Sequence, residues 1–393
     1  MPRFLTAALL VLALSTLGRA ADFPPGMQTL EIGDAAPDFK LPGIDDRDWT
    51  LKDLDGSKLL IVYFTSNHCP VCHAHDPRFM QLVGEIEAAG HGDDVNIVAI
   101  NPNSGDGLRP DELGYSKFDD SFEDMAPYAK SHGFSFPYLY DGETQRTAKQ
   151  YGCLATPHVF IFDAQRKLRY KGRLDNSRYP DPKTVKSREA HDAVFALLAG
   201  KPVAVPETKP FGCSTKWREK ISQVKQDELN WQSADVTLDE IDTQGLAKLV
   251  ANKTDKYRLF NVWSTTCVPC VEEFPGLIRV SRRMGLRPFE LITISTDLPK
   301  NRDRVKAYLS AQRAVLPKRL AASLEAEGRT SNNYLLTDPD IDALIAALDP
   351  QWEGPEPHTV LVAPGGEVVY RHNGLLEESK LLDVLLKVMK DTY

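Results

Sequence analysis

Residues 59–79 read LLIVYFTSNHCPVCHAHDPRF, and this stretch decides the fold. Its first six residues are apolar, aromatic or β-branched, which predicts a buried strand. Cys69 and Cys72 follow this strand. After the pair, apolar side chains recur at helical spacing, at Phe79, Leu82, Val83 and Ile86. The sequence therefore predicts a strand that ends in a Cys-x-x-Cys pair at the start of a helix.

The same pattern occurs a second time along the chain. Residues 259–274 read LFNVWSTTCVPCVEEF and carry the pair Cys267 and Cys270. In each copy a proline comes much later and is followed by a further apolar strand, at Pro157 and at Pro357. A repeat of this length indicates a duplicated domain and not a solenoid unit.

The order of predicted elements in each copy is strand, helix, strand, long connection, strand, strand and helix. This order implies a parallel strand pair with a crossover helix, followed by an antiparallel hairpin. We therefore expect an α/β protein of two tandem thioredoxin-like folds, each a central mixed sheet flanked by helices. Each fold would carry an insertion before a proline that is normally cis. The two prolines would present strand edges on which a substrate chain can lie.

The N-terminus has the pattern of a secretory signal peptide. Arg3 precedes a short apolar stretch at residues 4–17, and small residues stand at Gly18 and Ala20. We expect a signal peptide at residues 1–20 and a mature protein in the periplasm or outside the cell. The alternative is an uncleaved membrane anchor, although the stretch is short for a membrane span.

The remaining chain divides into three predicted parts. A first thioredoxin-like domain is expected at 21–200 and a second at 236–393. Residues 201–235 would form a linker and extension, because the prolines at its start favour an extended chain. Part of this extension could fold back onto the first domain.

Overall charge and composition exclude some classes of protein. The formal net charge is −8, and no run of basic residues appears, so the sequence does not indicate a nucleic-acid partner. No membrane span is expected in the mature chain. Six cysteines in 393 residues are too few for a disulfide scaffold, so the two Cys-x-x-Cys pairs indicate redox centres or metal sites.

The position of each pair predicts the role of its members. A cysteine near a helix N-terminus is stabilised as a thiolate by free N–H groups and the helix dipole. Cys69 and Cys267 are therefore the expected nucleophiles. Cys72 and Cys270 would resolve the mixed disulfides that form.

Flanking residues differ between the two sites. His68 and His73 flank the first pair, and a protonated histidine would favour the thiolate. Glu272 and Glu273 follow the second pair, and their charges would oppose it. The sequence predicts that the first site is the more oxidising and the more reactive of the two.

Other interpretations of the first site remain open. Cys69, Cys72 and His73 also form the Cys-x-x-Cys-His string that attaches a c-type haem. Together with His68 and His75, the two thiols also fit a zinc or copper site. The leading prediction nevertheless contains no metal and no cofactor besides the redox-active disulfides.

Two cysteines lie outside the pairs. Cys153 precedes Pro157 closely, and Cys213 follows the linker. Three alternatives are open: an accessory structural disulfide between them, a resolving role for Cys213, or two inert thiols.

Five short sequences stand out in the first domain, about Ile32 to Trp217: GDAAPDF at 33–39, FTSNHCP at 64–70, AINPN at 99–103, FPYLYD at 136–141 and KPFGCS at 209–214. Through these sequences the domain resembles the peroxiredoxin-like AhpC/TSA redoxins of the thioredoxin superfamily. The family's peroxidases have a proline seven residues before the reactive cysteine, where this chain has Val62. The resemblance implies a redoxin fold and leaves peroxidase activity at Cys69 as an alternative.

The second domain, about Val236 to Tyr393, is similar to TlpA/ResA-type thiol–disulfide reductases through the string WSTTCVPCVEEFP at 263–275. Thr266 stands where that family usually has tryptophan, and Glu356 where it has a small or β-branched residue. The expected activity is thiol–disulfide exchange on protein substrates, with another thiol protein as electron donor or acceptor. Electron relay between the two sites is a further expectation.

Overall fold

A computed structural model gives the structure of residues 24–338 and 340–390. The predicted signal peptide at residues 1–20 lies outside these residues. Within the described ranges, no helix is both long enough and apolar enough to cross a membrane.

The first half of the described chain contains nine strands, β1 to β9, of which five form a mixed sheet. Its strands are β1 (Lys40–Pro42), β2 (Asp48–Thr50), β3 (Leu59–Phe64), β4 (Val95–Asn101), β5 (Tyr138–Tyr140), β6 (Ala155–Thr156), β7 (His158–Phe162), β8 (Leu168–Gly172) and β9 (Cys213–Ser214). Its helices are α1 (Pro70–Ala88), α2 (Phe122–His132), α3 (Arg146–Tyr151), α4 (Glu189–Leu198) and α5 (Ile221–Ser233).

Five of these strands form the central sheet in the order β5-β4-β3-β7-β8. β3, β4 and β5 are parallel, while β7 and β8 form an antiparallel hairpin beside β3. All six residues of β3 are buried, as expected for a central strand covered on both faces. The predicted β-α-β unit and hairpin are thus confirmed, and β3 leads directly to α1 and its cysteines.

The second half contains another mixed sheet. Its strands are β10 (Asp239–Ile241), β11 (Tyr257–Trp263), β12 (Phe289–Ser295), β13 (Asn333–Leu336), β14 (His358–Val362) and β15 (Val368–Asn373). Its helices are α6 (Thr243–Val250), α7 (Val268–Arg283), α8 (Arg302–Ala311), α9 (Lys318–Ala326), α10 (Ile341–Leu348) and α11 (Glu378–Val388).

The second sheet has the order β10-β13-β12-β11-β14-β15. Parallel strands β10 to β13 and the antiparallel hairpin β14–β15 repeat the arrangement of the first sheet. The peptide bonds Thr156–Pro157 and Glu356–Pro357 are both cis. Both copies therefore have the thioredoxin-like arrangement, with an insertion between the second parallel strand of the β-α-β unit and the cis-proline.

The segment after α4 does not form the free linker that its prolines predicted. Lys171 in β8 pairs with Glu207 through a parallel bridge, and β9 pairs with β6. Thr208 accepts a hydrogen bond from the Arg173 N–H. These backbone pairings hold residues 206–214 against the first sheet, so this part of the predicted linker belongs structurally to the first half.

The two halves meet at the C-terminal end of α7. Arg283 donates to the carbonyl oxygen of Leu113 at 3.0 Å, and Arg287 donates to that of Gly114 at 2.8 Å. A Cβ at Gly114 would lie 2.8 Å from the Arg283 carbonyl oxygen, so only glycine allows this close approach. The contact lies at the end of α7 opposite Cys267.

Candidate active sites

Cys69 occupies the N-cap position of α1, and Pro70 is the first helical residue. Both Cys69 and Cys72 are free thiols and fully buried. Cys69 Sγ lies 3.3 Å from the carbonyl oxygen of Thr156, the residue before the cis-proline. The structure therefore brings the first pair and Pro157 together, as the sequence predicted.

A third thiol lies at this site. In the β6–β9 pairing, Cys213 stands directly opposite Thr156, and its thiol is close enough to that of Cys69 for the two groups to shift each other's pKa. Burial raises the pKa of the Cys69 thiol, and hydrogen bonds from Cys213 and Cys72 act in the opposite direction. The positive charge of His68 lowers it further, and the resulting pKa of Cys69 is well below its usual range.

His68 owes its charge to a carboxylate that the sequence analysis did not identify. Burial lowers the pKa of His68, but the negative charge of Asp120, its hydrogen bond to His68 and the charge of Cys69 together raise the pKa overall. Asp120 in turn accepts hydrogen bonds from the Asn67 backbone N–H at 2.7 Å and the Asn103 side chain at 2.8 Å. The predicted influence of His68 on Cys69 therefore has a structural basis.

His73 does not have the predicted role, and this expectation is corrected. Burial lowers its pKa to about 4, so the ring is neutral at pH 7 and supplies no positive charge to Cys69. Its Nε2 lies 2.7 Å from the carbonyl oxygen of Asn67. Burial likewise lowers the pKa of His75 to about 4.

Asp76 is a second residue that the sequence analysis did not single out. It is fully buried one helical turn after Cys72, and it accepts hydrogen bonds from the hydroxyls of Tyr63 at 2.9 Å and Tyr128 at 2.5 Å. Burial raises its pKa to about 7. Burial and the charges of Cys69 and Asp76 raise the pKa of Cys72 well above its usual range.

The accessory disulfide between Cys153 and Cys213, one of the three alternatives, is not present in this structure, where the two thiols have different partners. Both are free. Cys153 Sγ lies 3.4 Å from the Ala155 carbonyl oxygen and 3.7 Å from the Thr215 hydroxyl, in the core beneath the sheet. Cys213 instead stands opposite Thr156 in the β6–β9 pairing and interacts with Cys69.

The second pair is oxidised and more open. Cys267 and Cys270 form a disulfide, with Cys267 at the N-cap of α7. Cys267 is partly exposed, and the adjacent Val268 side chain is 76% exposed. Glu356, the residue before cis-Pro357, has a carboxylate oxygen within 4.8 Å of both sulfur atoms. Each Cys-x-x-Cys pair therefore lies beside the residue that precedes a cis-proline.

Glu273 lies on the buried face of α7 one turn after Cys270. It accepts hydrogen bonds from the Asn261 side chain at 2.8 Å and the Leu376 N–H at 2.7 Å. Burial raises its pKa to about 7, so it carries only part of a negative charge at neutral pH. The opposing charge predicted for Glu273 is accordingly weaker than expected.

The potential metal ligands that lie close together belong to the second site, whereas the haem and metal alternatives concerned the first site. In the described part of the chain, the trio of cysteine and carboxylate ligands with atoms within 4.8 Å of one another is Cys267, Cys270 and Glu356. In the present structure the two sulfurs of that trio are bonded to each other. The haem alternative at Cys69, Cys72 and His73 stays a prediction.

Comparison with known proteins gives one family and several relatives. Residues 32–171 match the AhpC/TSA family. A protein of Mycobacterium tuberculosis named "Putative peroxiredoxin" is 26% identical over 113 residues, which are 29% of this chain and 59% of that protein. The thiol-disulfide oxidoreductase ResA of Geobacillus thermodenitrificans is 26% identical over 163 residues, which are 41% of this chain and 81% of ResA.

Similarity to solved structures is also found. An uncharacterized conserved protein from Geobacillus kaustophilus is 34% identical, with a TM-score of 0.42, over 48% of this chain and 92% of that one. The chain spans less than two thirds of the length of the first peroxiredoxin relatives it matches. Residues 32–171 match the AhpC/TSA family, and the comparisons support a thioredoxin-superfamily assignment.

Proposed function

We propose that this chain is an exported thiol–disulfide oxidoreductase that uses two Cys-x-x-Cys pairs on protein thiols and disulfides. One observation carries the proposal: the residue before each cis-proline, Thr156 or Glu356, lies against the sulfur atoms of a pair at a helix N-terminus. At the second site, a strand edge beside the reactive sulfur can align a substrate chain by main-chain hydrogen bonds, whereas at the first site β9 pairs with this edge. The signal-peptide pattern at residues 1–20 supports export.

Nucleophilic attack at the first site begins with Cys69. The Cys69 thiolate attacks one sulfur of a substrate disulfide and expels the other as a thiolate, leaving a mixed disulfide. Cys72 then loses its proton and attacks Cys69 Sγ, which releases the reduced substrate. The reverse sequence oxidises a substrate dithiol.

A buried carboxyl group follows the second cysteine of each pair by one helical turn. Asp76 and Glu273 each have a pKa raised by burial to about 7. A group with this pKa can accept and return a proton near neutral pH. In the proposed mechanism, Asp76 takes the proton of Cys72 and Glu273 takes that of Cys270.

Direct relay between the two sites requires the halves to separate. The first half contacts Arg283 at the end of α7 and Arg287 four residues beyond it, while Cys267 caps the opposite end of that helix. A helix of 16 residues is about 24 Å long. Each site therefore exchanges with its own substrate in this conformation.

The proposed function is tested by turnover of a disulfide-bonded peptide with dithiothreitol as the electron donor. Turnover should fall at least about 100-fold when Cys69 and Cys267 are both changed to serine, because both nucleophiles are lost. Cys153→Ala is the matched control, since this buried thiol touches neither pair. Unchanged turnover in the double variant would refute the proposal.

A thiol peroxidase that uses Cys69 is the second candidate. The lowered pKa of Cys69, for which burial is outweighed by thiol hydrogen bonds and His68, favours this candidate together with the AhpC/TSA match. Hydroperoxide-dependent oxidation of dithiothreitol that disappears in Cys69→Ser would support it. If the parent protein consumed peroxide no faster than the Cys69→Ser variant, peroxidase activity at Cys69 would be excluded.

A further inference from the structure

The strand edge beside cis-Pro157 is already occupied by this chain. β9 pairs antiparallel with β6, with Ser214 opposite Ala155 and Cys213 opposite Thr156. A substrate that bound by strand addition would need these same backbone groups. The chain therefore places its own cysteine where a substrate cysteine would approach Cys69.

Close packing fixes the segment that contains β9 at its N-terminal end. A Cβ at Gly212 would lie 2.0 Å from the Thr156 carbonyl oxygen and 3.0 Å from Pro157 Cδ. Only glycine permits the backbone to pass so close to the cis-proline. The ring of the preceding residue, Phe211, packs edge-on against His75 at 5.8 Å.

Hydrogen bonds fix the segment that contains β9 at its C-terminal end. The Thr215 hydroxyl donates to the Cys153 carbonyl oxygen at 3.0 Å. The Lys216 N–H donates to the Asn103 side chain at 2.8 Å, and the Lys216 carbonyl oxygen accepts from Gln145 at 2.9 Å. Cys213 is thus held between two anchored ends and is not a residue of a loose loop.

Exposure differs among the three thiols of the site. Cys69 and Cys72 are fully buried, whereas Cys213 is partly exposed. A macromolecular substrate that approaches this site therefore meets Cys213 before it meets Cys69 or Cys72.

We propose that Cys213 is a third redox-active residue of the first site, which forms a disulfide with Cys69 and exchanges it with dithiols of external proteins. The proposal rests on the thiol–disulfide activity proposed above and names the atom that substrates meet. β9 acts as a built-in pseudosubstrate strand.

The exchange balances without an added oxidant. Starting from the Cys69–Cys72 disulfide, Cys213 gives its proton to solvent and its thiolate attacks Cys69 Sγ. The Cys69–Cys213 bond forms, the Cys69–Cys72 bond breaks, and Cys72 leaves as a thiolate that takes up a proton.

Transfer to the substrate follows at Cys213, the partly exposed member of the three cysteines. A thiolate of the substrate dithiol attacks Cys213 Sγ and expels Cys69, whose stabilised thiolate is a good leaving group. The second substrate thiolate then attacks its partner sulfur and releases Cys213. The substrate has lost two electrons and two protons, and the Cys69–Cys72 pair has gained the two electrons.

Disulfide mapping tests the first bond. A Cys267→Ser/Cys270→Ser background isolates the first site, and Cys72→Ser removes the competing thiol while leaving Cys213 intact. After treatment with oxidised glutathione, mass spectrometry should find Cys69 linked to Cys213, and adding Cys153→Ala should not change this link. Glutathione retained on Cys69 beside a free Cys213 thiol would overturn the proposal.

Turnover in the same Cys267→Ser/Cys270→Ser background separates this proposal from the function on which it rests. Oxidation of a dithiol peptide should fall at least about tenfold in Cys213→Ser and stay within about twofold in Cys153→Ala. Loss of turnover in Cys69→Ser with full turnover in Cys213→Ser would overturn only the role of Cys213. Full turnover in Cys69→Ser would overturn both proposals.

Discussion

His68 Nδ1 lies 2.5 Å from Asp120 Oδ2, and both side chains are buried next to Cys69. Asp120 raises the pKa of His68 against the effect of burial. The charge of His68 in turn contributes to the lowered pKa of Cys69, after burial and the thiol hydrogen bonds. The reactivity of the cysteine therefore depends on a carboxylate that does not touch it.

Asp120→Asn should raise the pKa of Cys69. The amide keeps the shape of the side chain but removes the charge that holds His68 protonated. Alkylation by iodoacetamide, followed against pH in the Cys267→Ser/Cys270→Ser background, should become roughly tenfold slower at pH 6. Asp93→Asn, an exposed change in the same half, is the control. A titration curve for Asp120→Asn identical to that of the parent protein would contradict the proposed effect of Asp120 on Cys69 through His68.

Asp76→Asn should slow the resolving step at the first site. The amide cannot accept the proton of Cys72, and general-base catalysis is typically worth about 100-fold or more. Release of a chromogenic thiol from the Cys69 mixed disulfide measures this step directly at pH 8. Glu87→Gln changes an exposed carboxylate on the same helix and should leave the rate unaltered. Equal rates in all three proteins would show that Asp76 is not the base.

Glu273 should make stability decrease with rising pH. Burial raises its folded-state pKa from 4.5 to about 7, so the folded protein binds this proton more tightly than the unfolded chain. Its contribution is fully present below about pH 4.5 and is lost as the pH rises through about 7. Glu273→Gln should flatten the dependence of unfolding free energy on pH across this window. The exposed neighbour change Glu272→Gln should retain it, and parallel curves for both variants would refute this assignment.

Glu356→Gln should make the reduced second site more reactive. The carboxylate lies within 4.8 Å of both sulfurs, and its negative charge disfavours a thiolate at Cys267. Alkylation of the reduced protein at pH 7 in a Cys69→Ser/Cys72→Ser background should accelerate roughly threefold to tenfold. Glu353→Gln, three residues earlier and exposed, serves as the control. A slower reaction would mean that Glu356 assists Cys267.

Local sequence was sufficient to predict each reactive centre. Apolar strand residues followed by Cys69 or Cys267 at a helix start lie within a single short stretch, and the cis-prolines follow from the matching strand further along. Such features depend on neighbours in sequence, and the structure has them as predicted. The roles of Cys72 and Cys270 as resolving thiols stay predictions.

Tertiary structure decided what surrounds those centres. Asp120 reaches His68 from the insertion, and Cys213 reaches Cys69 from beyond α4, because sheet pairing joins segments distant in sequence. Burial cancelled the charge expected of His73 and raised the pKa of Glu273. The sequence by itself determined which residues can carry redox chemistry. Folding determined their ionisation and exposure, because both depend on long-range packing and desolvation.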